Sequence, residues 1–474
     1  MHTLYEDALF YFKEISKIPR PSGHEEKIAA YLVDFAKQHQ LSYTTDDTHN
    51  VWITKPATSG MEMHAPVLLQ GHTDMVCECA PGVVHDFLKE PLDLEEQDGW
   101  LFAKGTTLGA DDGTAVALML ALLASDHCKH PPLECLFTTC EETGMDGAQG
   151  FDYSQVRAKR LINLDSEAED EITVGCAGST RLQFVRDVTP MPFSQKALSV
   201  NLFGLTGGHS GVEIANGHAN AITLLADALL SLYQTQPFQL AEMICDGKDN
   251  AIARNCTAVL SVTDLDAAKA HLQAWSQQIR CTLEPYDATF KFHLDRAKKP
   301  DTMFSFQDTG KLLRFLSLLP NGVIATVPEM PQMVQTSSNV GILHCDNTGF
   351  EIGCLLRSAE KAGMEMLLRK METLAKLCDF SVQYGAAHPA WTYHKNGNLA
   401  EQYRSARKRI CGKDTKICII HAGLECGIIQ QALGDLDAIS VGPDILDIHT
   451  PSERLSLSSF ATLCNTVELL LAEL

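Results

Sequence analysis

Apolar positions recur along this chain in two rhythms, and the change from one to the other is the first clue to its organisation. Leu4, Ala8, Leu9, Phe12 and Ile15 form one stripe at helical spacing and Ile28, Leu32 and Phe35 a second, with Ile18-Pro19-Arg20-Pro21-Ser22-Gly23 between them. Residues 4–40 are therefore predicted to form two helices around a Pro/Gly turn. From there to about residue 178, short apolar runs at 66–70, 133–139 and 160–164 alternate with helical patterns such as 114–125. That alternation is the signature of a largely parallel sheet with crossover helices on its faces.

Near residue 180 the style changes. Segments 196–205, 252–262, 287–294, 333–345 and 350–357 read as half-exposed strands, with helical patterns at 220–233, 266–280 and 359–378. After about residue 390 the first style returns: a helix at 399–410, a strand at 416–421, a helix from 425, a strand at 437–441 and a closing helix at 458–471. The predicted fold class is α/β, a doubly wound mixed sheet built discontinuously from residues 1–180 and 391–474, with an α+β domain of residues 181–390 inserted in it.

Composition narrows the function classes. With 474 residues, 45% hydrophobic and 21% charged, the chain has ordinary globular usage and enough length for two or three domains. Thirty-eight basic against 60 acidic residues leave a net charge of −22, a surface that repels phosphate backbones and anionic lipid, so neither nucleic acid nor membrane is expected as a partner. The 16 cysteines show no CxxC or metal-finger spacing, and many sit in apolar runs where a free thiol behaves as a small hydrophobe, so a reducing, cytoplasmic setting is expected. Residues 1–11 lack a basic start followed by an apolar core, and the longest apolar run, 115–124, is too short to cross a bilayer.

Several strand-like runs end in histidine or acid, where open α/β sheets place ligand groups. After the run at 66–70 comes Gly71-His72-Thr73-Asp74; on extended chain His72 and Asp74 share a side, so Asp74 can hold the imidazole of a metal-binding His72. Alone, the pair reads better as a satisfied polar contact at a strand end. Gly109-Ala110-Asp111-Asp112-Gly113 opens a helix that is apolar nearly all round, so its acids lie at the core's edge, where an unpaired carboxylate is costly. Cys140-Glu141-Glu142-Thr143-Gly144 follows another strand; neighbouring glutamates point apart, which lets one ligate a metal while the other handles a proton. Leu164-Asp165-Ser166-Glu167 and the distant His449-Thr450-Pro451-Ser452-Glu453 complete the set. Two imidazoles and three carboxylates on strand ends suit two closely spaced divalent ions sharing a bridging carboxylate, zinc first.

In this order the motifs resemble the co-catalytic dizinc peptidase family that includes aminoacylases, tripeptidase and carnosinases. Within it Pro19-Arg20-Pro21-Ser22-Gly23-His24-Glu25-Glu26, Val84-His85-Asp86-Phe87, Gly207-Gly208-His209-Ser210-Gly211 and His421-Ala422-Gly423-Leu424-Glu425-Cys426-Gly427 resemble the aminoacyl-histidine (Xaa-His) dipeptidase branch, also called cytosol non-specific dipeptidase. The resemblance implies a zinc-peptidase-like catalytic domain with the inserted domain as lid and dimerisation domain, hence a homodimer. It implies two divalent metal ions per subunit, zinc with manganese or cobalt fitting the same ligands: one held by His72, Asp111 and Asp165, the other by Asp111, Glu142 and His449, with a cis peptide between Asp111 and Asp112. By the same resemblance Glu141 is the general base, Asp74 orients His72, and His209 stabilises the oxyanion in its own site or that of a second copy. Asn250 and Arg357 would take the substrate's carboxylate and Glu425 its amino terminus. From the residues alone Arg357 is a strand-edge surface charge, and Ala253 stands where the family usually has proline. The implied activity is hydrolysis of short peptides such as β-alanyl-histidine; the alternative within the same chemistry is an N-acyl amino acid deacylase or amidohydrolase. A metal-binding scaffold without catalysis would lack Glu141 or a ligand, and a nucleotide-dependent oxidoreductase would carry a GxGxxG or P-loop.

Overall fold

The computed structural model describes residues 3–328, 330–346, 349–394 and 396–474. The chain divides into two compact units: Met1–Cys176 with Trp391–Ile419 and Leu424–Leu474, and Ala177–Ala390 with Ile420–Gly423.

The first unit is built on an eight-stranded mixed sheet. At its centre Val67–His72 pairs in parallel with Leu133–Thr138 on one side and Arg160–Asn163 on the other, and Arg160–Asn163 pairs in parallel with Asp437–Ser440. Val67–His72 and Leu133–Thr138 are buried at every position, which is why they read as unbroken apolar runs rather than alternating ones. The hairpin Ser42–Thr45/Val51–Lys55 adds one antiparallel edge; Glu171–Cys176, antiparallel to Asp437–Ser440, and Lys416–Ile420 form the other. Helix Ala110–Ala124, buried on nearly all its surface, packs against Val67–His72 and the first helix, Leu4–Ile15. Asp111 and Asp112 near its start have non-helical backbone angles, so regular helix begins after them, close to where the apolar pattern places it. A small second sheet, absent from the sequence prediction, joins Leu94–Gln97, Trp100–Ala103, Arg454–Ser456 and Ile445–Leu446.

The second unit is an antiparallel sheet in the order Lys291–Arg296, Lys196–Phe203, Cys256–Val262, Gln239–Cys245, Met330–Asp346, Gly349–Ser358, Gly178–Arg186, Ser381–His388, with Gly322–Val327 paired onto Met330–Asp346. Its core joins the sheet to helices Ala221–Thr235, Leu265–Leu283, Phe306–Leu318 and Lys361–Leu377. Residues 420–423, which the sequence pattern groups with the resumed α/β segment, belong here: Ala177 N–H donates to the Ile420 carbonyl and His421 pairs with Ser337. The strand expected to begin at 287 begins at Lys291, because Asp287 instead accepts backbone N–H bonds from Thr206 and Ala219. No helix among the described residues is long and apolar enough to cross a membrane.

Candidate metal centre and its surroundings

The four parallel strands of the first unit place their C-terminal ends along one edge, and the chain leaves each with a polar side chain. His72 is the last residue of Val67–His72. After Leu133–Thr138, Cys140 takes a left-handed conformation (φ 54°) that turns the chain into the short helix Glu141–Gly144. Asp165 follows Arg160–Asn163. Beyond Asp437–Ser440, the antiparallel pair Ile445–Leu446/Arg454–Ser456 holds the turn that presents His449. Asp111 joins them from the opening of the buried helix, across a cis Asp111–Asp112 bond.

Asp111 lies between the two histidines. Its Oδ1 is 3.0 Å from His72 Nε2 and its Oδ2 is 3.2 Å from His449 Nε2. His72 Nε2 is also 3.5 Å from Asp165 Oδ1, and His449 Nε2 is 2.9 Å from Glu142 Oε1. On its other nitrogen His72 faces Asp74, with Nδ1 3.3 Å from Oδ1. Asp74 is itself fixed by the Ser22 hydroxyl (2.7 Å) and by the backbone N–H groups of Glu141 (3.1 Å) and Glu142 (3.3 Å). One carboxylate thus orients the imidazole and anchors the turn carrying both glutamates. The Glu141 carboxylate, unlike that of Glu142, has no hydrogen-bonding partner among the described residues.

The electrostatics describe a site with more acid than it can ionise unaided. Burial pushes the Asp165 carboxyl up to about 6 against the pull of His72, and burial with Asp165, Glu425 and Glu142 nearby raises Glu141 although His72 opposes it. Hydrogen bonds to the Asp111 and Glu142 carboxylates lift His449 to about 10. Burial alone would raise Asp111, but His449 and His72 hold it well below the usual carboxylate range. Protons are doing here what a divalent cation does better. The donor set fits one: ligand atoms of His72, Asp111 and Glu142, and likewise of His72, Asp112 and Asp165, lie within 4.8 Å of one another. Asp112 is spoken for by backbone, accepting from His72 N–H and Ala115 N–H at 3.2 Å each.

Glu425 is the first residue of helix Glu425–Leu433 and is fully buried. Its Oε2 accepts from Gln70 Nε2 (2.6 Å) and the Thr138 hydroxyl (2.7 Å), and Gln70 Oε1 accepts from Asn163 (2.7 Å). Its Oε1 has no hydrogen-bond partner among the described residues. Burial pushes this carboxyl up to about 8.

The remaining predicted residues, His209, Asn250 and Arg357, belong to the second unit. His209 Nδ1 accepts from the backbone N–H groups of Gly211 and Val212, each at 3.3 Å, which leaves the proton on Nε2. Burial and the neighbouring Arg357 lower its pKa, so the ring is a neutral donor. Arg357 is not at a sheet edge: its strand lies between Met330–Asp346 and Gly178–Arg186, and the side chain is buried. Burial, Arg357 and His209 together push His421 down to about 3, and its Nε2 is hydrogen-bonded to the Ser337 hydroxyl at 2.7 Å. Asn250 is exposed, and its carbonyl accepts from Ser210 N–H.

Sequence reasoning gave no role to Arg20, Ser22, Gln70, Thr138, Asn163 or Glu453, all of which support the centre. Their motifs were visible, but nothing in a single sequence distinguishes a buried loop arginine from a solvated one.

The sequence profile described as Peptidase family M20/M25/M40 matches residues 68–473. The cytosol non-specific dipeptidase of Escherichia coli (strain K12) is 36% identical over 454 residues, 94% of this chain and 93% of that protein. Among solved structures, the aminoacylhistidine dipeptidase from Vibrio alginolyticus superposes with a TM-score of 0.92 at 32% identity, covering 99% of this chain and 96% of that one. Aminopeptidase PepT from Bacillus cereus shares the fold, with a TM-score of 0.57 at 16% identity over 99% of this chain and 98% of that one.

Proposed function

The chain belongs to peptidase family M20/M25/M40, and from that membership we propose that it is a metal-dependent dipeptidase acting on Xaa-His peptides such as β-alanyl-histidine and on other dipeptides. The observation that carries the reading is the Asp111 carboxylate, which offers one oxygen to the side of His72 and the other to that of His449, as a bridge between two ions requires. His72, Asp111 and Asp165 would hold one divalent ion and Asp111, Glu142 and His449 the other. Zinc suits this mixture of imidazole and carboxylate, and manganese or cobalt fits the same donors. Bound there, the ions supply Lewis-acid polarisation of a carbonyl and lower the pKa of water towards neutrality.

The protein's own groups divide the remaining work. Glu141, whose carboxylate is uncommitted, takes the proton of the attacking water and returns it to the leaving nitrogen. Asp74 keeps Nδ1 of His72 protonated and Nε2 free as a donor to metal. His209, neutral with its proton on Nε2, donates to the oxygen that gains charge in the tetrahedral state. Arg357 and Asn250 receive the substrate's carboxylate, the arginine through its planar fork. The buried Oε1 of Glu425 receives the substrate's ammonium, whose charge favours the ionised carboxylate that burial opposes. An anchor for each end of a short peptide selects dipeptides over longer chains. We further assign the inserted segment 181–390 the dimer interface and the protein a cytoplasmic setting, where its free thiols stay reduced.

The test is a substrate panel on chelator-treated, zinc-reloaded enzyme: β-alanyl-histidine, α-dipeptides, tripeptides and N-acetyl amino acids. Dipeptides should be turned over best. Faster turnover of N-acetyl amino acids would overturn the assignment in favour of a deacylase.

A further inference from the structure

Three segments meet at the metal centre from distant parts of the chain: residues 73–74 after the first parallel strand, residues 108–111 before the buried helix, and residues 449–453 in the histidine turn. Two side chains of opposite charge, Arg20 and Glu453, join them, and the chemistry above uses neither. Both are nearly inaccessible, at 1% and 3% exposure.

Glu453 accepts four successive backbone N–H groups. Its Oε2 takes those of Leu108 (2.7 Å) and Gly109 (3.0 Å), and its Oε1 those of Ala110 (2.8 Å) and Asp111 (3.4 Å). An ionised carboxylate offers about four acceptor positions and no donor, so this nest uses all that it has. Arg20 approaches the same segment from its carbonyl side: Nη2 donates to the Gly109 carbonyl, while Nη1 donates to the carbonyls of Thr73 (2.9 Å) and Asp74 (3.1 Å). Gly109 is the pivot. It has a φ of +66°, and a Cβ there would fall 2.6 Å from Arg20 Nη2 and 2.8 Å from Met75 Sδ.

We propose that Arg20 and Glu453 are positioning residues that clamp segment 108–111 from its two sides, fixing the Asp111 carboxylate between His72 and His449 before any metal arrives. The inference rests on Asp111 being the bridging ligand. A clamp of this kind answers a specific difficulty: Asp111 and Asp165 repel each other, and a ligand free to swing away would have to be re-ordered at each binding event. Glu453 also lies four residues from His449, so the same carboxylate couples the placement of one ligand to that of another.

Glu453→Gln sets an NH2 group against two of the four N–H donors, and Arg20→Lys replaces a planar fork by a point charge that cannot serve both segments. Each variant should bind zinc 10–100-fold more weakly in chelator competition, the usual effect of losing a group that orients ligands. KM for a dipeptide at saturating zinc should change less than threefold. Glu453→Asp, which keeps the charge, should recover part of the affinity. Hydrogen exchange on the unmodified, metal-free chain supplies a reading that needs no variant: the amides of 108–111 should stay protected without zinc. Rapid exchange there, or variants that bind zinc as tightly as the parent, would overturn the clamp. Asp111→Asn serves as the control. If it too keeps both zinc ions, the ligand assignment has failed; if it loses zinc while the other variants do not, only the clamp has.

Discussion

Adjacent glutamates with different duties give the sharpest test of the site. Glu141 and Glu142 share one turn, and their backbone N–H groups are both held by Asp74 at 3.1 and 3.3 Å, so replacing either side chain by glutamine leaves the turn anchored. What changes is chemistry. Glu142 Oε1 is 2.9 Å from His449 Nε2, the position of a shared ligand, whereas the Glu141 carboxylate is uncommitted. Glu141→Gln should therefore retain its metal and lose the general base, a fall of roughly 10²–10⁴ in kcat, equivalent to about 3–5 kcal/mol of transition-state stabilisation. Glu142→Gln should lose metal first, with activity partly restored by raising zinc. The assay pairs steady-state dipeptide hydrolysis at several zinc concentrations with elemental analysis of the purified protein. Turnover of Glu141→Gln within threefold of the parent would refute the assignment of the base. Equal metal loss from both variants would refute the division of labour.

Three further outcomes are expected. Folding holds Asp165 at about 6 and Glu425 at about 8, both above their unfolded values. Their contribution to the stability of the metal-free protein is complete only below the unfolded values, 3.8 for Asp165 and 4.5 for Glu425, and is lost as pH rises through the folded value. His449, raised to about 10, contributes below pH 6.5 and loses its contribution as pH climbs to 10. The Tm of the metal-free protein should thus fall from pH 5 to 9, and its gap to the zinc-loaded form should widen between pH 6 and 8; a gap that narrows would contradict the sign. Gly109→Ala should cost about 1–2 kcal/mol for the left-handed backbone alone, read as a lower urea midpoint, and should weaken zinc binding because the new Cβ meets Arg20 and Met75. His209→Ala should lower kcat by roughly 10²–10³ with zinc content unchanged, and His209→Gln, which keeps a donor, should recover part of the loss; a variant at parental kcat would remove His209 from the reaction.

The parts of this protein that were legible in its sequence are those where burial is one-sided or complete. The central strands Val67–His72 and Leu133–Thr138 are buried throughout and so appear as apolar runs, and the acids and histidines that follow them stand out because nothing else ends such a run. Ser381–His388, exposed at most of its positions on a sheet edge, carries no alternation to read, and the short strands around His449 owe their pairing to Trp100–Ala103, far away in sequence. Arg357 resembles an edge charge locally for the same reason: its place inside the sheet is decided by Gly178–Arg186, a partner that no local pattern announces. The centre follows this logic. The proposed ligands His72, Glu142 and Asp165 follow buried strands and stand out in the sequence, while Arg20 from the first turn and Glu453 from the last bond to backbone carbonyls and N–H groups that every sequence contains and none advertises. Side chains that follow buried apolar runs can be picked out from the sequence, whereas a buried loop arginine or glutamate that bonds only to main chain cannot.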